Sequence, residues 1–228
     1  MEFRKFEPSL LEFLDDLAGH NDRQWFSENK QRYEQKVLEP CMALIRTFAP
    51  RLERISPCFL ASDRRVGGSL MRVYRDTRFS RDKTPYKTNV GIQFRHNCGA
   101  DVHAPGYYIH IAPDECFLAM GVWHPDADAL RRIRDAIAEW PDRWQRVVRN
   151  ARFRESLKLD GDSLRLPPRG YPLDHPCIED LKRKDFVALK DLRKRDVLAG
   201  DFLDTVDKTF RDGRPLMKFL CDALSLPF

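Results

Sequence analysis

The sequence predicts an α+β fold, with an antiparallel sheet meander covered by N-terminal and C-terminal helices, in one compact domain over residues 1–228. Three observations carry this. Apolar residues recur at three and four over the first 55 positions, the helical period. The pattern changes to strict alternation between residues 69 and 123, the period of a half-buried strand. It then returns to helical spacing from residue 126 to the end.

Taken in order, Ser9 followed by Glu12 has the form of a capping box, with Leu10, Leu11, Phe13, Leu14 and Leu17 as the apolar stripe behind it. Gly19 closes that helix. Asn21 or Asp22 caps the next, in which Trp25, Phe26, Asn29, Tyr33 and Val37 repeat at helical spacing. Pro40 interrupts the period, and Met42, Leu44, Ile45, Phe48, Leu52 and Ile55 resume it. The reading is two helices or one kinked helix, ending before Pro57.

Beyond the breaker Gly67-Gly68, residues 69–75 read as a first strand. Met71 and Val73 lie on one face, with Leu70, Arg72 and Tyr74 on the other. Residues 76–88 form a loop containing Pro85. Residues 89–96 are a second strand, with Val90, Ile92, Phe94 and His96 on its apolar face. Residues 107–112 and 115–123 make a hairpin across Pro113-Asp114, and there Tyr107, Ile109 and Ile111 oppose Tyr108 and His110. Helices follow at 126–140 and from Pro141. Residues 157–166 look like a hairpin around Asp160-Gly161-Asp162. The tail holds helices near 178–183, 201–211 and 215–224, with Val187 and Leu189 in a short edge strand between them.

Charge singles out one stretch. The net charge is +5, and residues 63–88 alone carry eight Lys or Arg against three Asp, so the whole excess lies there. Arg72, Tyr74, Arg75, Arg78, Lys83, Tyr86 and Lys87 are the candidate ligand-binding residues. Guanidinium forks and ammonium groups hold phosphate or carboxylate, and the tyrosines stack a base or position the cations. Asp76, Tyr108 and His110 are the catalytic candidates, since an acid, a phenol and an imidazole beside such cations can move a proton. The competing reading is a structural charge lattice in which Arg75 pairs with Asp76 and Arg81 with Asp82. Two functions follow: binding of an anionic small molecule or nucleic acid, or a small hydrolase or transferase acting on an anionic substrate through Asp76 and His110.

Other chemistry finds little support. His96, Cys98, Asp101 and His103 cluster in sequence, but their spacing fits no ordinary zinc site, and no metal is expected. There is no phosphate-cradling or dinucleotide glycine fingerprint and no nucleophile elbow, so no cofactor is indicated. The six cysteines form no CxxC pair and the N-terminus has no apolar run. Both point to free thiols in a reducing cytoplasm, away from membranes, with the oligomeric state open.

Several motifs together resemble the domain-of-unknown-function 2461 family, a mainly bacterial group. They are NDRQWF at 21–26 with Lys30 and Tyr33, RVYRDTRFSRDKTPYKT at 72–88, and YYIHI at 107–111. GVWHP at 121–125, PRGY with DHP at 168–176, and LKRKDF at 181–186 complete the set. The resemblance runs over nearly the full length and implies a compact α+β domain. It carries over no catalytic residue. It does imply that NDRQWF, the arginine loop and KRKDF share a surface, adding Asn21, Arg23, Trp25, Lys182, Arg183 and Lys184 to the candidates.

Overall fold

The computed structural model describes residues 2–98 and 104–228 and has the expected α+β class. Helix α1, Ser9–Gly19, buries its leucine and phenylalanine stripe, but Pro8 rather than Ser9 sits at the N-cap and no side chain caps it. Helix α2, Arg23–Glu28, is capped by Asp22, whose carboxylate accepts the Trp25 N–H at 2.9 Å. Helix α3, Lys30–Tyr33, runs through a π-turn at Glu34–Leu38 into α4, Glu39–Ile55. Pro40 falls in the first turn of α4, directly after the π-turn, whose wider winding accommodates a residue without an N–H. The wider turn before it makes the expected break at Pro40 a local rewinding within the run from α3 to α4, while the break in the helical period falls earlier, at Asn29 after α2.

Strands β1 (Phe59–Leu60), β2 (Val90–His96), β3 (Gly106–Ile111) and β4 (Cys116–Val122) come next. Helices α5 (Ala127–Glu139), α6 (Pro141–Val148) and α7 (Ala151–Ser156) lead to β5 (Lys158–Asp160). Helix α8 (Ile178–Leu181), strand β6 (Phe186–Leu192), and helices α9 (Lys194–Val197), α10 (Phe202–Asp212) and α11 (Arg214–Ala223) complete the chain. The sheet is antiparallel throughout, in the order β1-β2-β3-β4-β6-β5.

One face of this sheet carries the core. Ile92, Phe94, Tyr107, Ile109, Leu118, Met120, Phe186 and Ala188 are buried there against the helices. Phe48 of α4 and Phe210 of α10 pack on Phe94, Phe210 also meets Tyr107, and Trp144 of α6 meets Phe186. His96 is core as well: only 2% exposed, its Nε2 lies 2.8 Å from the Pro227 carbonyl. The opposite face supplies Gln93, Tyr108, His110, Phe117, Ala119, Val187 and Leu189 to a concave surface whose described lining includes no helical residue. Among the described residues no helix is long and apolar enough to cross a membrane.

Three expectations need correction. Residues 69–75 are not a strand. The Gln93 N–H donates to Ser69 and the Met71 N–H to Gly91, but the chain then leaves β2 and turns on itself, with Arg75 N–H on Pro85 O and Lys87 N–H on Val73 O. Hence Leu70 is buried while Arg72 and Tyr74, expected on its face, are exposed. The Asp160-Gly161-Asp162 hairpin does not form, because β5 pairs with β6 and Ser163 bridges to Arg183 instead. The supposed edge strand at Val187 and Leu189 is β6, seven residues long and interior, between β4 and β5.

Candidate functional site

The basic stretch is held at its base by the NDRQWF segment. The Asn21 side chain donates to the Tyr86 carbonyl and accepts the Tyr86 N–H, both at 3.0 Å, as a second backbone strand would. Phe26 stacks on the Tyr86 ring at 4.1 Å and 18°, and Tyr74 lies 5.4 Å from it. Tyr86 is therefore an anchor, 5% exposed, and not a ligand platform. Tyr74 covers this cluster from the solvent side.

The tip of the loop is closed by its own charges. Arg75 donates to Asp82 and to the Thr84 hydroxyl, and the Thr84 N–H donates to Asp82 at 2.9 Å. Arg78 forks onto Asp76 at 3.0 and 2.7 Å, and Lys83 reaches the Thr77 carbonyl at 2.9 Å. The Arg78 hydrogen bonds hold the Asp76 carboxyl down at about 2. The Thr84 backbone N–H and then Arg75 do the same for Asp82, also to about 2. A charge lattice exists, then, but with Arg75–Asp82 and Arg78–Asp76 in place of the neighbouring pairs. Phe79 projects from this tip, 94% exposed, with the Arg78 guanidinium 5.9 Å from its ring.

Two cations at the base have different surroundings. Arg72 and Lys87 form no ion pair among the described residues. Burial, and then the charge of Arg72, lower the Lys87 pKa. Lys87 also lines the concave surface, a pocket of about 640 Å³. The sheet register sets Gln93, Tyr108 and Ala119 in one row across its floor, and Gly91, His110 and Phe117 in the next.

Tyr108 and His110 alternate onto the same face of β3, and the hydroxyl lies 3.3 Å from His110 Nδ1. His110 stacks flat on Phe117 at 4.6 Å and 2°. Gly91 leaves the space for the phenol: a Cβ there would meet the Tyr108 hydroxyl at 2.6 Å. Burial lowers the His110 pKa, opposed by the Glu115 and Asp114 charges, and burial raises that of Tyr108. Both shifts favour the uncharged forms, and the tautomer of His110 decides which of the two groups donates across the contact.

Of the residues singled out in the sequence, Lys87, Tyr108 and His110 share the pocket, with Arg72 beside Lys87. Asp76, Arg75, Arg78 and Lys83 bond within the loop, and Asp76 is absent from the pocket's described walls. Trp25 packs on Phe13 and His20, and Arg23 is exposed. Lys182 and Arg183 pair with Glu179 and Asp180, and Lys184 donates its N–H to Asp162. NDRQWF thus joins the arginine loop; KRKDF lies by β5. Asp101 and His103 fall outside the described residues, and among the described ones no three His, Cys, Asp or Glu side chains converge on a metal-sized site.

Sequence comparison gives the family over most of the chain. The family described as "Conserved hypothetical protein (DUF2461)" matches residues 9–219. The chain belongs to that family. DUF2461 coverage thus takes in the NDRQWF anchor, the basic loop, the β2–β4 floor and β6 together. A search of curated proteins finds no match. Sequence reasoning missed Phe117 and Met71 as pocket walls; the alternation Phe117-Leu118-Ala119 in β4 was the available signal for the first.

Proposed function

We propose that this protein binds a small phosphate-containing ligand in the sheet-face pocket, with the anionic group held by Lys87 and Arg72 and the body lying against Tyr108, His110 and Phe117. The observation that carries the reading is Lys87 in the wall of a pocket of about 640 Å³, with the Arg72 charge near enough to lower its pKa and neither cation in an ion pair among the described residues. Like charges side by side repel, and a bound anion relieves that repulsion while forming charge-assisted hydrogen bonds. The self-paired tip, Arg75 to Lys83, is a scaffold in this reading. The same reading assigns the protein to a reducing, cytoplasmic compartment, supported by its six free cysteines.

Titration calorimetry at low salt with inorganic pyrophosphate, AMP and a short single-stranded DNA tests it. Loss of one charge-assisted contact in Lys87→Met or Arg72→Met weakens binding about tenfold or more, and Arg78→Ala leaves it unchanged. Affinity for the DNA greatly above that for AMP, abolished by Arg78→Ala, transfers the site to the loop tip. No heat with any of the three defeats the proposal. A second reading, hydrolysis or group transfer on such a ligand, is favoured by the Tyr108–His110 contact. Its mark is release of inorganic phosphate in the same mixtures, lost in His110→Gln.

A further inference from the structure

The wall of the same pocket holds an amide that the anion reading does not use, that of Gln93. A neighbour on its own strand orients it: Arg95 Nε donates to Gln93 Oε1 at 3.1 Å. A guanidinium carries donors and no acceptor, so the atom that faces it has to be the amide oxygen. The Gln93 NH2 is thereby turned away from Arg95, and it forms no hydrogen bond among the described residues. It lies beside Gly106, where a Cβ would stand 3.7 Å from Gln93 Nε2.

The floor next to this NH2 is bare. The strand register sets Gly106 opposite Gly121 and Tyr108 opposite Ala119. Gly106, Ala119 and Gly121 all line the pocket, so three adjoining positions offer only backbone and one methyl group. Gly121 has to be glycine: it takes φ 131°, and a Cβ there would collide with the Phe186 carbonyl oxygen. Trp123, 69% exposed, follows two residues later and also lines the pocket. The next residue pins that strand end, with the His124 N–H and ring Nδ1 at 2.7 and 3.0 Å from Oδ1 of buried Asp185.

A bare trough with a fixed donor at its edge suits a planar ring lying flat, with an acceptor in the ring plane turned to Gln93. We propose that the phosphate-containing ligand is a nucleotide whose base carries a ring carbonyl, as hypoxanthine, guanine and uracil do, and that Gln93 selects it. This rests on the phosphate reading at Lys87 and names the ligand class for that same pocket. Lys87 and Gln93 are at most roughly 20 Å apart at about 3.3 Å per residue, a gap that a mononucleotide bridges when the two side chains extend toward it. A base carbonyl accepts from the Gln93 NH2. An amino group in its place sets donor against donor and leaves both unpaired in a partly enclosed site. Arg95 is the positioning residue: without it the amide is free to turn and offer its oxygen to an amino group.

Titration calorimetry of the full chain at low salt tests this with two matched pairs, IMP against AMP and UMP against CMP. Inorganic pyrophosphate reports the phosphate site by itself. The carbonyl-bearing member of at least one pair should bind at least tenfold more tightly than its amino counterpart, and that pair identifies the ring. Gln93→Met should bring the two members together, and Gln93→Glu, which turns an acceptor into the pocket, should reverse their order. Arg95→Met should narrow the ratio, a change that lost packing alone would not produce. Lys87→Met should weaken both members alike and keep the ratio, and thermal unfolding of each variant checks that it folds. Equal affinities within both pairs, or a preference that survives in Gln93→Met, overturn the base assignment while pyrophosphate binding still upholds the phosphate site. No binding of pyrophosphate or of any nucleotide defeats both.

Discussion

Asn21→Ala removes one side chain and two hydrogen bonds at once, and its effect follows from the geometry. Each bond to the Tyr86 backbone is 3.0 Å long, and an ordinary protein hydrogen bond contributes about 1 kcal/mol net. Tyr86 is 5% exposed beneath Phe26, so its stranded N–H and carbonyl are poorly placed to recover water. That puts the loss toward the upper end, about 2–3 kcal/mol. For a chain of this size it corresponds to a fall of roughly 5–10 °C in Tm. Urea unfolding followed by tryptophan fluorescence should show a lower midpoint with an unchanged slope, because no surface beyond the anchor is exposed. Asn21→Asp should do no better than alanine: it keeps the acceptor for the Tyr86 N–H but turns a carboxylate oxygen toward the Tyr86 carbonyl. A loss under about 0.5 kcal/mol in Asn21→Ala would refute the claim that this residue pins the base of the loop.

The loop tip should respond to acid in a defined window. The Asp76 and Asp82 carboxyls sit at about 2 against an ordinary 3.8, so their stabilising contribution is complete above 3.8 and disappears as pH falls toward 2. Carboxyl carbon shifts in NMR should show both ionised at pH 3. Arg78→Ala should return Asp76 toward its ordinary value, and Arg75→Ala should return Asp82 only part way, since the Thr84 N–H remains. Gly91→Ala should cost about 1–3 kcal/mol by driving the Tyr108 hydroxyl away, and the His110 ring resonances should report the broken contact.

Local rules carried the sequence reading where each residue answers to its neighbours. The β3 alternation put Tyr107, Ile109 and Ile111 inward and Tyr108 and His110 outward from the pleat alone. Asp22 was legible as a cap because it serves a donor three residues away. Partner choice across long separations was not. Asp160-Gly161 carries a strong hairpin signal, yet β6 offers β5 an edge already backed by the core residues Phe186 and Ala188. In 69–75 the alternating pattern was present but the partner strand was lost after Met71, so alternation and burial parted. The site divides the same way. Concentrated charge located the basic stretch, but which arginine meets which aspartate depended on how the loop folds back. The His124–Asp185 contact joins residues 61 apart, and no pattern in the chain links them.

The insertion of β6 between β4 and β5 sets an order of assembly during synthesis. The Asn21–Tyr86 anchor and the β2–β3 hydrogen bonds under Lys87 join residues no later than Ile111, with Phe210 of α10 completing the packing beneath them once it is made. The β4 edge has no neighbour until residues 186–192 emerge, and His124 has no carboxylate until Asp185 does. Pairings of such long range are the slow ones. A chain stopped before β6 would carry its cation pair and a bare strand edge, open to pairing with another copy, and would lack the His124–Asp185 contact.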